Sequence, residues 1–204
     1  MDGFAAFDEV VFIAEIARPE IGARVRRRLD RLGGGAAIRL ERGVHTPGDP
    51  RIGVLLSHRA ALATAAARDA RSVLVLQGDI LFHDRFHAVV AAAAAELTHV
   101  AWGVCHLGGW WPTVAPPEQG CRHLDRLERV GSVHAVAYNS RAIARVLAEW
   151  PADATAAADQ IAARGDIEAQ LAALSPVLAV HPTVTTLPSL LPFETVDAQR
   201  QFAA

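Results

Sequence analysis

An α/β fold built on a doubly wound, mostly parallel sheet is predicted by two features of the sequence. Residues 10–16 (VVFIAEI), 72–76 (SVLVL) and Val177–Val180 are short β-branched or apolar runs without polar alternation, the mark of strands buried on both faces. Stretches of helical periodicity separate them, and strands alternating with helices form βαβ units. The chain has 204 residues, so a single domain spanning 1–204 is expected, large enough to bury about 70% of the surface its unfolded form exposes.

Each element has its own warrant. After the first strand, Pro19 takes an early helical position, and Ile21, Val25, Leu29 and Leu32 line one face. The other face carries Arg24, Arg26, Arg27, Arg28 and Arg31, read as solvated, with phosphate contact as the alternative. Glycines 33–35 end this helix and residues 36–40 make a second strand; because the glycines follow a helix, they are no dinucleotide fingerprint. Residues 41–51 hold Gly43, Pro47, Gly48 and Pro50 and read as a loop, followed by a long helix over 52–68. Residues 72–76 form the clearest central strand, and 84–97 an alanine-rich helix. Strands follow over 100–107 and 132–139, then a helix over 141–150, helical turns broken at Pro151 and Gly165, and the strand Val177–Val180. Ligands of such sheets bind outside the carboxyl ends of strands, which selects the positions after Leu76, His106 and Val180.

Composition removes several function classes. Twenty basic against 22 acidic residues leave a formal charge of −2, giving no nucleic-acid footprint. All the basic residues are arginines, so Schiff-base, P-loop and kinase-type lysine chemistry is excluded. Cys105 and Cys121 form no metal-spaced pair and read as free thiols. The first nine residues lack a basic and an apolar signal region, and no apolar run spans a bilayer. A cytoplasmic protein without an integral membrane segment is therefore expected.

Gln77-Gly78-Asp79 ends the best strand, where a carboxylate is reachable by ligand and a glycine allows close backbone approach. A plain loop-starting Asp is the competing reading. Trp110 and Trp111, beside Gly108 and Gly109, could stack on a sugar or simply pack against the sheet. The pair Ser57-His58 is no hydrolase triad, since no G-x-S-x-G elbow exists.

The order of these features resembles family 25 glycosyltransferases of the lipooligosaccharide-biosynthesis type. Residues 11–33 are similar to that family's first strand, arginine-proline turn and helix, and residues 53–58 (GVLLSH) to its G-x-x-x-S-H helix start. Residues 73–82 (VLVLQGDILF) are similar to its L-x-L-E-D-D-x-x-F strand and acidic turn. Leu107-Gly108-Gly109 matches L-G-G, and residues 134–138 (HAVAY) match H-x-x-A-Y. Asp159-Gln160 and residues 176–185 are similar to a later acidic pair and final strand. The likeness covers about nine-tenths of the chain, carried by motif order rather than by any one motif.

The resemblance implies a GT-A-like fold that moves a sugar, such as galactose, with inversion from a UDP-sugar to a hydroxyl of a glycan, glycolipid or small molecule. It implies Mn²⁺ or Mg²⁺ at the acidic turn, with Asp79 as direct ligand; His181, before Pro182 at the end of the last strand, reads either as a further ligand or as a surface histidine. Gln77, Gly78, Ser57 and His58 would contact the donor, and Gly108, Gly109, Trp110 and Trp111 the substrate. Asp159 would be the general base, with Asp125 as an alternative. The E-D-D turn here reads Gln77-Gly78-Asp79, which lacks two of three carboxylates. Three outcomes stay open: a weakened metal site helped by phosphates, metal-independent transfer, or a non-catalytic nucleotide-, sugar- or partner-binding homologue. The chain is short for this family, so donor-covering loops are either trimmed or supplied by a second subunit of a homo-oligomer.

Overall fold

A computed structural model of the chain describes residues 2–34, 37–109, 116–128 and 131–189. After a 3-10 turn at Phe4–Ala6, the order is β1 (Glu9–Ala14), α1 (Pro19–Arg31), β2 (Ile38–Arg42), α2 (Pro50–Ala66), β3 (Ser72–Gln77) and β4 (Leu81–Phe82). It continues with α3 (Phe86–Leu97), β5 (Val104–His106), β6 (Leu124–Leu127), β7 (Ala135–Asn139), α4 (Ser140–Glu149), α5 (Ala154–Arg164), α6 (Ile167–Ala172), β8 (Val177–Val180) and β9 (Thr185–Thr186).

Seven strands form one sheet in the order β2-β1-β3-β7-β5-β8-β6, and β4 pairs with β9 in a separate ribbon. β1 is parallel to β2 and β3, and β5 to β8, whereas β7 is antiparallel to both β3 and β5, and β6 to β8. Five strands thus run one way and two the other, the mixed but mostly parallel sheet expected from the buried apolar runs. Helices cover both faces, as a doubly wound sheet requires. Val11, Val73, Val75, Val136 and Tyr138 pack with residues of α2, α4, α5 and α6. Val10, Phe12, Leu74, Leu76 and Ala137 pack with residues of α1 and α3 on the other side. The assignment follows from the side-chain alternation of each strand.

Local chemistry fixes the helix starts. Asp49, Asn139, Asp153 and Asp166 each accept a backbone N–H of the first turn of α2, α4, α5 and α6, at 3.0, 2.9, 3.0 and 3.3 Å. Pro19 and Pro50 take the first helical positions of α1 and α2. The strand expected over 36–40 begins at Ile38, while residues 35 and 36 lie outside the described residues. The charged segment around 122–129 holds the edge strand β6, which no apolar run announced.

Leu74 lies fully buried in the centre of β3. Leu74→Ala is expected to cost about 3 kcal/mol, read as a shift of the urea unfolding midpoint at constant slope. A loss below about 1 kcal/mol would contradict the placement of β3 at the heart of the sheet.

Candidate functional site

A cleft of about 620 Å³ opens at the carboxyl ends of β1 and β3, inside the roughly 300–1,000 Å³ range of small-molecule sites. It is lined by the segment after β1, with Glu15, Ile16 and Arg18, and by the loop after β2 with the first turn of α2, including Val44 and Arg51. Gln77 and Gly78 lie at the end of β3, Ser132 and His134 come from the loop entering β7, and Glu168 comes from α6. Since β7 runs against its neighbours, its amino end meets their carboxyl ends.

The motif residues build this cleft from beneath. Ser57 donates to the Gly53 carbonyl at 2.6 Å and accepts the Val44 N–H at 2.7 Å, so it ties the loop after β2 to α2. A neighbouring side chain faces inward instead: His58 is fully buried, and its Nδ1 shares a hydrogen bond of 2.7 Å with the Tyr138 hydroxyl. Burial holds the His58 pKa down to about 4, against a smaller upward pull from the Gln77 side chain. Ser132 Oγ lies 2.6 Å from His134 Nδ1, and His134 Nε2 lies 3.1 Å from Thr185 Oγ1. Burial likewise brings His134 to about 4. His106, on β5, falls to about 3 through burial and the neighbouring His134; the Ser132 carbonyl faces it, but neither ring nitrogen forms a hydrogen bond of acceptable geometry.

The structure brings Gln77, Gly78 and Ser57 to the cleft, while His58 is buried and does not line it. Asp79, one residue past Gly78, turns to α1. Its Oδ1 accepts from Arg24 Nε at 3.1 Å and Arg28 Nη1 at 2.5 Å, and its Oδ2 from Arg24 Nη2 at 2.7 Å. Burial pushes this carboxyl upward, but the hydrogen bonds and charges of Arg24 and Arg28 outweigh it and hold the group below its ordinary value. The arginine face read as solvated therefore has a specific partner at two positions.

His181 lies beside Asp125, its Nδ1 3.4 Å from Oδ2, at the end of β8. β8 is three places from β3 in the sheet, roughly 14 Å at ordinary strand spacing. The expected Asp79–His181 ligand pair is thus not assembled, and among the described residues no group of three or more His, Cys, Asp or Glu side chains could hold a metal ion. The residues present do not fit a divalent cation at the turn after β3.

Asp159 is exposed on α5 and does not line the cleft. The carboxylate that does so on that side is Glu168, which burial pushes above its ordinary value, with Asp166 adding to the shift. No local signal marked it, because only the packing of α6 near α2 carries it there. Gly108 is buried against β9, and a Cβ added to it would fall on the Thr185 backbone carbonyl oxygen. Its place in L-G-G is therefore explained by chain packing, and Gly109 beside it does not line the cleft either. Trp110 and Trp111 lie outside the described residues.

No family model matches this chain. No curated protein matches it. Among solved structures it is similar to a mannose-1-phosphate geranyltransferase from Thermus thermophilus, at 19% identity and a TM-score of 0.43 over 83% of this chain. The match spans 58% of that protein's length. It is also similar to a glycosyltransferase involved in glycosylation of the major capsid of PBCV-1, at 8% identity and a TM-score of 0.42, over 86% of this chain and 94% of the other. Likenesses this distant carry no argument about what this chain binds. No helix among the described residues is long and apolar enough to cross a membrane.

Two outcomes are expected here. Gly108→Ala should destabilise the fold by a few kcal/mol, since backbone must move, and a thermal midpoint equal to that of the parent would refute the close packing. The buried histidines have folded pKa values below the unfolded value near 6.5, so the unfolded chain binds more protons in between. Their contribution is complete above about pH 6.5 and declines as pH falls towards 4 and 3. His106→Leu should flatten that decline and leave stability at pH 7 equal or higher, because it removes two unpaired buried nitrogens. An unchanged pH slope in urea titrations would sink this reading.

Proposed function

We propose that the chain is a glycosyltransferase that moves a sugar from a nucleoside-diphosphate donor, such as a UDP-sugar, to a hydroxyl acceptor. The observation that carries this reading is the cleft at the carboxyl ends of β1 and β3, where open α/β sheets hold their ligands, with Arg18, Arg51, Gln77 and Glu168 around one volume. The motif order of family 25 supports the same class, because Ser57, Gln77 and Gly78 from its motifs all reach this cleft. The finer assignments, inversion and a galactosyl donor, rest on that resemblance alone.

Glu168 is the general base in this reading. Its carboxylate takes the proton of the acceptor hydroxyl while that oxygen bonds to the anomeric carbon. The carbon–oxygen bond to the diphosphate breaks, and its electron pair leaves with the phosphate. A carboxyl pKa raised by burial suits a base working near neutrality. Gln77 can hydrogen-bond a ribose or sugar hydroxyl without adding charge. Gly78 has a φ of 75°, a conformation that a second carboxylate residue would adopt only at a cost, so restoring an E-D-D turn works against the backbone.

A non-catalytic donor-binding protein is the second reading. It is favoured by the arginine-bound state of Asp79, which leaves the turn without a free carboxylate.

Glu168→Gln should lower kcat on the best UDP-sugar and acceptor pair by about 10²–10⁴-fold, with little change in donor affinity by calorimetry. Asp159→Asn should leave turnover unchanged. Equal activity of the parent and the Glu168 variant would remove the assigned base, and no turnover by the parent with any sugar nucleotide would favour the second reading.

A further inference from the structure

The turn after β3 supplies one carboxylate, and that carboxylate is already occupied. Asp79 is 21% exposed, and three guanidinium N–H groups from Arg24 and Arg28 take both of its oxygens. A divalent cation approaching these oxygens would meet two positive charges within a few ångströms, and displacing them would leave Arg28, 17% exposed, without its partner. Arg28 Nη1 also donates to the Ile80 carbonyl at 2.9 Å, which fixes the guanidinium to the turn itself. This side chain is part of the turn's construction.

The cleft does contain cations of another kind. Arg18, in the segment between β1 and α1, and Arg51, in the first turn of α2, both line it. Both are more than half exposed, and among the described residues each forms its salt bridge with a near neighbour in sequence: Arg18 with Glu15 at 2.7 Å and Arg51 with Asp49 at 2.7 Å. Exposed pairs of this kind contribute little and exchange readily for a better anion. A diphosphate is a better anion, because its oxygens accept the parallel N–H groups of a guanidinium fork. With no lysine in the chain, every fixed cation available for this work is an arginine.

We propose that this cleft holds its nucleoside diphosphate with Arg18 and Arg51 in place of a divalent cation, and that binding is metal-independent. The proposal rests on the nucleotide-sugar reading above. When the bond between the sugar and the diphosphate breaks, the charge gathering on the departing phosphate oxygen is met by guanidinium N–H donors. Arg24 and Arg28 are positioning residues: they cancel Asp79 and shape the turn that carries Gln77 and Gly78.

The test is calorimetric titration of UDP into the full chain, once with excess Mn²⁺ and once with EDTA, with GDP and ADP run alongside. The two dissociation constants are expected to agree within about twofold, and Arg18→Ala and Arg51→Ala each to weaken binding about tenfold in both solutions. Tightening by Mn²⁺ of about tenfold or more overturns the inference and leaves the nucleotide reading intact. Metal-independent binding that neither arginine variant weakens overturns the assignment of these two residues. No binding of any of the three nucleotides in either solution overturns the nucleotide reading, and this inference with it. Both side chains are exposed, so the variants are expected to fold, which circular dichroism checks directly.

Discussion

The cleft depends on how α2 is seated on the sheet, and two adjacent side chains set that seat. Ser57 reaches outward to hold the loop after β2, while His58 reaches inward to Tyr138 on β7, 80 residues away in sequence. One turn of helix is therefore fastened both to the wall of the site and to the centre of the core. Hydrogen bonds in a water-free interior are strong when satisfied and costly when broken, so this junction leaves α2 little freedom to slide. The two motifs that stood far apart in the sequence, G-x-x-x-S-H and H-x-x-A-Y, are the two halves of one contact.

Electrostatics separates the two sides of the turn after β3. Towards α1, the carboxylate of Asp79 is matched by Arg24 and Arg28 at distances of charge-assisted bonds. Towards the cleft stand neutral Gln77 and Gly78, and the charged Glu15, Arg18, Arg51 and Glu168 also line it. His134, which lines the cleft, and the buried His58 and His106 are kept neutral at physiological pH by burial. The charges of the cleft thus sit on half-buried or exposed side chains, which a ligand can reach without first desolvating a fully buried ion.

Much of the fold was legible because its central elements carry strong, unambiguous patterns. The run SVLVL could only be a strand with both faces covered, and the spacing of Ile21, Val25 and Leu29 could only be one face of a helix. β6 was not legible: its sequence LDRL buries only its two ends, as an edge strand does, and reads locally as a charged stretch. β4 and β9, two residues each, have no period to detect. Within the site, Gln77, Gly78 and Ser57 were found because strand ends and motifs are local signals. Glu168 and the Asp79 partners were not, because Arg24 and Arg28 lie 55 and 51 residues from that carboxylate and only tertiary packing joins them.

The backward course of β7 has a consequence for how the chain comes to be folded. β1, β2 and β3 lie within the first 77 residues and can pair with one another as soon as they are made. Until Ala135–Asn139 emerge, one open side of that three-stranded unit is β3 itself, with four buried apolar residues at its centre and the backbone N–H and C=O groups that face away from β1 unpaired. A newly made chain therefore spends part of its synthesis with a hydrophobic edge facing solvent. The arrival of one antiparallel strand closes that edge and delivers His134 to the cleft, so the same step that protects the nascent chain from aggregation also begins to join the far half of the chain to its site.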